Sequence, residues 1–224
     1  MSGILYIVAT PIGNLEDITL RALRILREVD LILAEDTRVA SKLLNHYEIE
    51  KNILSYHQHS SEERKLEILR ELLLGKKIAL ITDAGTPGIS DPGNELIDFI
   101  YKNSDSVKIV PVPGPSALTA ALSVCGFRTD KFVFLGFLPK KGNLGLFEWL
   151  KKGDFTFAFY ESPMRILKTL DLLLKNFGGE KRIVVARELT KIYETLYRGK
   201  IKEVKEKLVS DKLKGEIVVI VEGN

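Results

Sequence analysis

Cysteine is nearly absent: Cys125 stands alone among 224 residues. A disulfide framework is excluded, and so is a zinc site built on thiolates. Cys125 sits in the small, apolar stretch 117–126 and reads as a buried small hydrophobe. The three histidines, His46, His57 and His59, lack ligand spacing on one rigid element, so no metal is expected. Long apolar runs are missing too. The longest, such as Ile78–Ile81 and Ile217–Val221, are strand-sized and fall far short of the ~18 residues of a membrane span. The opening Met1-Ser2-Gly3 leads straight into Ile4–Val8, without the basic front or cleavage site of a signal peptide. With 45% hydrophobic and 28% charged residues, the chain has the balance of a soluble globular protein, and a reducing cytoplasm fits. Neither G-x-G-x-x-G nor G-x-x-x-x-G-K-[ST] occurs, which excludes the common dinucleotide and triphosphate cradles.

Net charge is small, +3, but unevenly spread. Residues 1–118 carry 13 Lys/Arg against 17 Asp/Glu, and residues 119–224 carry 20 against 13. That asymmetry points to a polyanion near the second half. Five of its lysines, Lys202, Lys205, Lys207, Lys212 and Lys214, read as the wet face and end of a helix rather than as RNA contacts.

Strand-like and helix-like segments alternate from the start. Strands are expected at Ile4–Ala9, Leu31–Ala34, Ile53–Tyr56, Ile78–Thr82 and Val107–Val112. Helices are expected from an Asp17 cap to Val29 with Leu23 and Leu26 inward, over Thr37–Tyr47, from a Ser60/Glu63 capping box to Gly75, and over Asn94–Asn103. Such an order builds a mainly parallel sheet covered on both faces. After a small-residue helix, Ser116–Val124, come strands Phe132–Phe137 and Phe155–Tyr160 and helix Met164–Asn176. Strands Ile183–Ala186, Thr195–Arg198 and Ile217–Val221 follow, with a helix near Lys202–Leu213. The close pair 183–186 and 195–198 predicts an antiparallel hairpin and a mixed sheet. The expected domains are 1–116 and 117–224.

Six of the eight prolines, at 11, 87, 92, 111, 113 and 115, cluster after three strands of the first domain. Open parallel sheets bind ligands at the carboxyl ends of their strands, so these three Gly/Pro loops are expected on one rim. Thr10-Pro11-Ile12-Gly13-Asn14 reads as an ordinary turn or as a ligand loop in which Gly13 permits positive φ and close backbone approach. Residues 82–93, with three glycines, two prolines and two aspartates, are longer than a simple connection needs. There, backbone groups can meet a ligand, and Asp83 or Thr86 can bond a hydroxyl or an ammonium. In the third loop Pro115 suits a helix start, where small Ser116 and Ala117 let a ligand approach.

These loops, in this order, resemble those of the tetrapyrrole-methylase superfamily, the class III S-adenosylmethionine-dependent methyltransferases. Gly85-Thr86-Pro87-Gly88-Ile89-Ser90 occupies the place of that superfamily's G-D-P-x-x-Y/F-[GS] loop, with Thr86 where its aspartate stands. More narrowly, the chain resembles the ribosomal RNA small-subunit methyltransferase I family. The matching strings are 9–15 (ATPIGNL), 34–38 (AEDTR), 83–93, 159–163 (FYESP) and 187–191 (RELTK). The resemblance implies two α/β domains of the tetrapyrrole methylase fold with the cofactor held between them, and a homodimer. It implies methylation of the ribose 2′-hydroxyl of a cytidine in the decoding region of 16S rRNA, within the 30S subunit, and S-adenosylmethionine as cofactor. Pro11, Ile12, Gly13, Asp83, Gly85, Thr86, Ile89, Ser116, Ala117 and Tyr160 are its expected contacts. Met164 stands where the family usually has histidine, so a titrating role there is not essential. Many members continue past the position of Asn224, and any RNA contact made by that extension is expected to be absent or replaced.

Methyl transfer is an in-line displacement, so holding nucleophile, methyl and sulfur in line leads the catalysis. A ribose hydroxyl is a weak acid, and a base or cation beside it helps. Asp36, Glu161 and Glu188 are candidate bases. Lys191, Arg38, Arg165 and Arg187 are candidates for contact with phosphate or the developing alkoxide, the three arginines toward RNA. Each has a plainer reading: a helix cap with an ion pair for Asp36 and Arg38, a strand-to-helix turn at Glu161, a sheet-end pair at Arg187 and Glu188. Phe155, Phe157 and Phe159 alternate as core, so Tyr160 points to the other face, toward the cofactor, a base or packed helices. Three other functions are weighed: a precorrin-type methyltransferase, against which Thr86 and Asp36-Thr37-Arg38 speak, a non-catalytic rRNA-binding assembly factor, and a nucleotide-binding Rossmann protein, against which the missing phosphate fingerprint speaks.

Overall fold

The structure is a computed structural model in which residues 2–139, 144–211 and 213–223 are described. It divides into two compact units, Met1–Ser116 and Ala117–Asn224.

In the first unit β1 (Ile4–Val8), α1 (Leu20–Glu28), β2 (Leu31–Ala34), α2 (Thr37–His46), β3 (Ile53–Ser55), α3 (Glu62–Leu73), β4 (Lys77–Ile81), α4 (Asn94–Asn103) and β5 (Lys108–Val112) alternate. The strands form one sheet in the order β3-β2-β4-β1-β5, every pairing parallel. Both faces are covered, as the near-continuous apolar strands require. Val8, Ile32, Ala34, Ala79 and Ile81 pack with Ile25 and Leu26 of α1 and Leu44 of α2. Leu5, Leu33, Ile78 and Leu80 pack on the other face with Ile68 and Leu72 of α3 and Leu96 and Ile100 of α4. Pro111 lacks an N–H and is tolerated because β5 is an edge strand. The neighbours β1 and β4 send their connections, α1 and α4, to opposite faces. The carboxyl ends of these two strands are therefore the topological switch point, the position at which open α/β sheets bind ligands.

In the second unit α5 (Ala117–Cys125) precedes β6 (Phe132–Phe137), α6 (Leu144–Lys152), β7 (Thr156–Glu161) and α7 (Ile166–Phe177). The chain then continues through β8 (Arg182–Arg187), β9 (Thr195–Lys200), α8 (Ile201–Val209) and β10 (Ile217–Val221). The sheet order is β6-β7-β10-β8-β9. β6 and β7 are parallel and the remaining pairs antiparallel, so the sheet is mixed. Phe157, Phe159, Val185 and Val219 face α7 and α8. Ala158, Val184, Ala186, Val218 and Ile220 face Leu118, Ala121, Leu122 and Cys125 of α5.

Several local expectations are corrected. Thr19, not Asp17, caps α1, accepting the Ala22 N–H at 3.1 Å, while Asn14 caps a short 3-10 turn, Leu15–Asp17. Ser61, not Ser60, caps α3, because the Ser60 hydroxyl is engaged by the His57 N–H at 2.9 Å. Helix α6 falls in a segment with no expected element. Phe147 and Leu150 are buried, Leu146 is half-buried against the same core and Trp149 is 49% exposed, so the periodic signal is short. Helix α8 ends at Val209 and buries Ile201, Val204 and Leu208. Lys202 and Lys207 lie on its wet face, Lys205 pairs with Asp171, and Lys212 lies outside the described residues. Among the described residues no helix is long and apolar enough to cross a membrane.

Candidate active site

At the switch point the loops are stitched backbone to backbone. Thr10 and Gly85 form an isolated antiparallel bridge. Thr10 N donates to Gly85 O at 2.9 Å and Gly85 N to Thr10 O at 3.0 Å. The buried Thr10 hydroxyl donates to Thr82 O at 3.1 Å, and the Thr86 hydroxyl donates to Pro115 O at 3.0 Å. The loops after β1, β4 and β5 thus form one rim. Positive φ falls at Gly85 (81°), Gly88 (84°), Ser90 (61°) and Gly93 (140°), while Gly13, which would permit it, does not use it. Pro11 and Ile12 are buried beneath the rim, Gly13, Asp83 and Ile89 are exposed, and Ser116 and Ala117 are half-buried. Thr82 Oγ1 is buried and has no partner among the described residues. Such an orphan is the group a ligand's polar atom would satisfy.

Asp83 and Asp36 meet on neighbouring strand ends: the Asp36 N–H donates to Asp83 Oδ1 at 3.1 Å. The Asp36 carboxylate caps α2 through the Arg38 N–H at 2.8 Å. It also takes the Arg38 guanidinium in a fork, Nε to Oδ1 at 3.0 Å and Nη2 to Oδ2 at 2.6 Å. Those hydrogen bonds pull its pKa down to about 2. Both readings of this pair therefore describe the same atoms: it is a cap and an ion pair, and an exposed one. Next to it Glu35, unsuspected in the sequence, is half-buried. Burial, then the nearby Asp83 charge, push its carboxyl above the ordinary range, with His57 opposing them. The His57 ring turns back on its own loop, Nδ1 accepting the His59 N–H at 3.2 Å.

Glu161 is the clearest correction. Its side chain is fully buried. Oε1 accepts the Ser162 N–H at 2.8 Å and faces Arg165 Nε at 3.3 Å, and Oε2 accepts the Thr169 hydroxyl at 2.6 Å. A carboxylate so enclosed cannot reach a substrate proton, so its work is to hold the turn between β7 and α7. Arg165 is held in turn by that carboxylate and by Leu138 O at 2.7 Å. Tyr160 lies on the α5 face as its alternation with Phe159 requires. Its ring sits edge-on to Phe134 and Phe137, with centroids 4.9 and 5.6 Å away.

Glu188 and Lys191 form a lock with a third residue that the sequence did not suggest. Lys191 Nζ donates to Glu188 Oε1 at 2.9 Å and to Glu216 Oε2 at 2.7 Å, and the Glu216 N–H reaches Glu188 Oε1 at 3.0 Å. Burial raises the Glu188 pKa, but the Lys191 ammonium and the Glu216 N–H outweigh it, and the net shift is downward. Burial likewise lowers Lys191, and its two carboxylates outweigh that, leaving it raised. Gly215, at φ 88°, admits the lock: a Cβ there would stand 2.1 Å from the Glu188 carboxyl. Arg187 donates from Nη2 to the Thr195 hydroxyl at 3.2 Å, and its Nε is buried without a partner among the described residues.

A parallel, switch-pointed first sheet with stitched loops and a mixed second sheet define a class. The family model of the tetrapyrrole (corrin/porphyrin) methylases matches residues 4–205. A solved uroporphyrin-III C-methyltransferase from Thermus thermophilus, complexed with S-adenosyl homocysteine, shares the fold. Its TM-score is 0.69 at 20% identity, over 98% of this chain and 97% of that one. Ribosomal RNA small subunit methyltransferase I of Thermotoga maritima is 49% identical over 222 residues, 99% of each chain. The protein of that name from Halalkalibacterium halodurans is 46% identical over 224 residues, 99% of this chain and 76% of that one. Within the tetrapyrrole methylases, this chain belongs to the ribosomal RNA small subunit methyltransferase I family.

Proposed function

We propose that this chain transfers the methyl group of S-adenosylmethionine to the 2′-hydroxyl of a cytidine ribose in the decoding region of 16S rRNA. It does so in the cytoplasm, on the 30S subunit, as a homodimer. The observation that carries the reading is the stitched rim at the β1/β4 switch point, with the buried Thr82 hydroxyl left unpartnered, in a chain of this family.

The rim residues suit the cofactor. Backbone groups of Ile12, Gly13 and Gly85 offer close approach, and Asp83 offers an exposed carboxylate for an ammonium or a ribose hydroxyl. Ile89 adds apolar surface, and Ser116 and Ala117 keep the start of α5 small. Thr86 gives its hydroxyl hydrogen to Pro115 O, so toward the ligand its oxygen is left as an acceptor. When bound, the cofactor supplies an electrophilic methyl on sulfonium sulfur. The attacking hydroxyl becomes strongly acidic as its new C–O bond forms, so a weak carboxylate base suffices to take the proton late. Asp36 is the carboxylate we assign to that step, with Arg38 and Arg187 on RNA phosphates. Lys191, held positive by its two carboxylates, stands as the cation for the substrate side.

Transfer of label from S-adenosylmethionine to unmodified 30S subunits and to naked 16S rRNA, with nuclease mapping, tests the reading. Label on one cytidine ribose is expected. No label on either RNA, despite measurable cofactor binding, overturns it and turns attention to precorrins.

A further inference from the structure

The connection from β8 to β9, residues 188–194, is built with unusual rigidity for a hairpin loop. Glu188 and Thr190 take left-handed φ of 53° and 66°, a conformation that side chains other than glycine hold only under constraint. The constraint is visible. Lys191 ties the loop to Glu188 and Glu216, and Glu188 N donates to Glu216 O at 2.9 Å. The Thr190 N–H donates to Glu194 Oε2 at 2.6 Å, and Glu194 N donates to Lys191 O at 3.0 Å. What this frame presents is two large side chains that burial would favour: Ile192 is 95% exposed and Tyr193 72% exposed. A solvated loop tip has no reason to carry them.

A cation stands at the root of the same loop. The Thr195 hydroxyl donates to Tyr193 O at 3.1 Å and accepts from Arg187 Nη2 at 3.2 Å. Arg187 is thus two hydrogen bonds from the tyrosine backbone, with Nε still unpartnered among the described residues. An exposed aromatic ring on a loop whose root carries a half-buried guanidinium matches a nucleotide: a π-face for the base and a cation for the phosphate. A second copy of the chain is the poorer occupant: residues 119–224 carry 20 Lys/Arg against 13 Asp/Glu, so two such halves repel each other where a polyanion is attracted.

We propose that Tyr193 and Ile192 form the element that receives an unstacked nucleobase of the RNA, Tyr193 by stacking and Ile192 as a wedge, while Arg187 takes the adjoining phosphate. The inference rests on the RNA-methyltransferase reading above. It supplies what that reading needs, since a 2′-hydroxyl within folded RNA is reached by local unstacking.

The test uses the full chain. Benzoylphenylalanine in place of Tyr193 is irradiated with 30S subunits and S-adenosylhomocysteine. A crosslink to 16S rRNA near the methylated nucleotide is expected; a crosslink only to a second copy, or none, overturns the inference. In kinetics, Tyr193→Ala raises KM for the RNA about tenfold, Ile192→Ala does so less, and Tyr193→Phe restores the original value. Cofactor Kd stays unchanged in all three, which separates the effect from misfolding. Wild-type chain that methylates neither RNA refutes the function itself. Wild-type activity with an unchanged KM for Tyr193→Ala refutes only the stacking role.

Discussion

Thr10 and Gly85 bond each other twice through their backbones, at 2.9 and 3.0 Å, and so join the loops of β1 and β4 at the point where the sheet's connections diverge. The join depends on Gly85 holding φ 81°. Gly85→Ala is expected to cost roughly 1–2 kcal/mol of stability and to weaken S-adenosylhomocysteine binding about tenfold by letting the loops part. Gly13→Ala, where no positive φ is used, is expected to leave stability nearly unchanged. Urea unfolding and calorimetric titration of the two variants decide it. Equal cofactor affinity in wild type and Gly85→Ala removes the bridge from the binding account.

Glu161 offers a sharp separation between structural and chemical roles. Glu161→Ala leaves the Ser162 N–H, the Thr169 hydroxyl and the Arg165 guanidinium without their shared acceptor. Removing one member of a buried charged network costs about 2–4 kcal/mol. The unfolding midpoint is expected to fall by that amount, while methylation per folded molecule persists. A stable variant with activity lost a thousandfold instead restores Glu161 to the chemistry.

Asp36 and Arg38 predict a pH response at the acid extreme. The Asp36 pKa is lowered from 3.8 to about 2 by Arg38. A depressed carboxylate adds stability that is in place above 3.8 and disappears as pH falls through about 2. Asp36 therefore stays ionised throughout the neutral and mildly acid range, and no inflection in activity near pH 5 belongs to it. Arg38→Gln is expected to return the pKa toward 3.8, read from the carboxyl carbon resonance of Asp36. A titration still centred near 2 in that variant assigns the shift to the helix start instead.

What could be read in the sequence was what local chemistry writes there. Parallel β strands announce themselves as short apolar runs such as Ile78–Ile81, and the Gly/Pro loops after β1, β4 and β5 stand out because simple connections need neither their length nor their prolines. Alternation along β7 correctly separated Tyr160 from Phe157 and Phe159. Caps were harder: Thr19 and Asp17, or Ser61 and Ser60, differ only in which hydroxyl or carboxylate finds the free N–H. Helix α6 escapes the periodicity because Leu146, Phe147 and Leu150 fill barely more than one turn and Trp149 beside them is exposed. Long-range electrostatics left no trace at all. The burial that raises Glu35, the enclosure of Glu161 by Thr169 and Arg165, and the meeting of Glu188 with Glu216 from another part of the chain are properties of packing. A motif string names such residues without saying which of them is already spoken for.

The last prediction concerns that meeting. Glu188 has a lowered pKa: burial opposes the shift, and Lys191 and the Glu216 N–H overcome it. Its contribution is present above its ordinary value of 4.5 and lost as pH falls. Lys191 has a raised pKa, so its contribution is complete below 10.5 and lost as pH rises through the higher folded value. The lock on residues 188–194 is therefore closed between these limits. Lys191→Met leaves burial at Glu188 opposed only by the Glu216 N–H and the Arg187 charge, so its pKa should rise and the loop should open at a higher pH than in the wild type. Gly215→Ala attacks the same lock sterically, through a Cβ 2.1 Å from the Glu188 carboxyl at a backbone φ of 88°, and should cost about 2 kcal/mol or more. Hydrogen exchange across residues 188–194 reads both. Faster exchange confined to this loop in each variant, growing with acidity in Lys191→Met, is the expected result. Exchange as slow as in the wild type at every pH means that the hairpin itself, and not the Glu188–Lys191–Glu216 lock, holds Ile192 and Tyr193 in place.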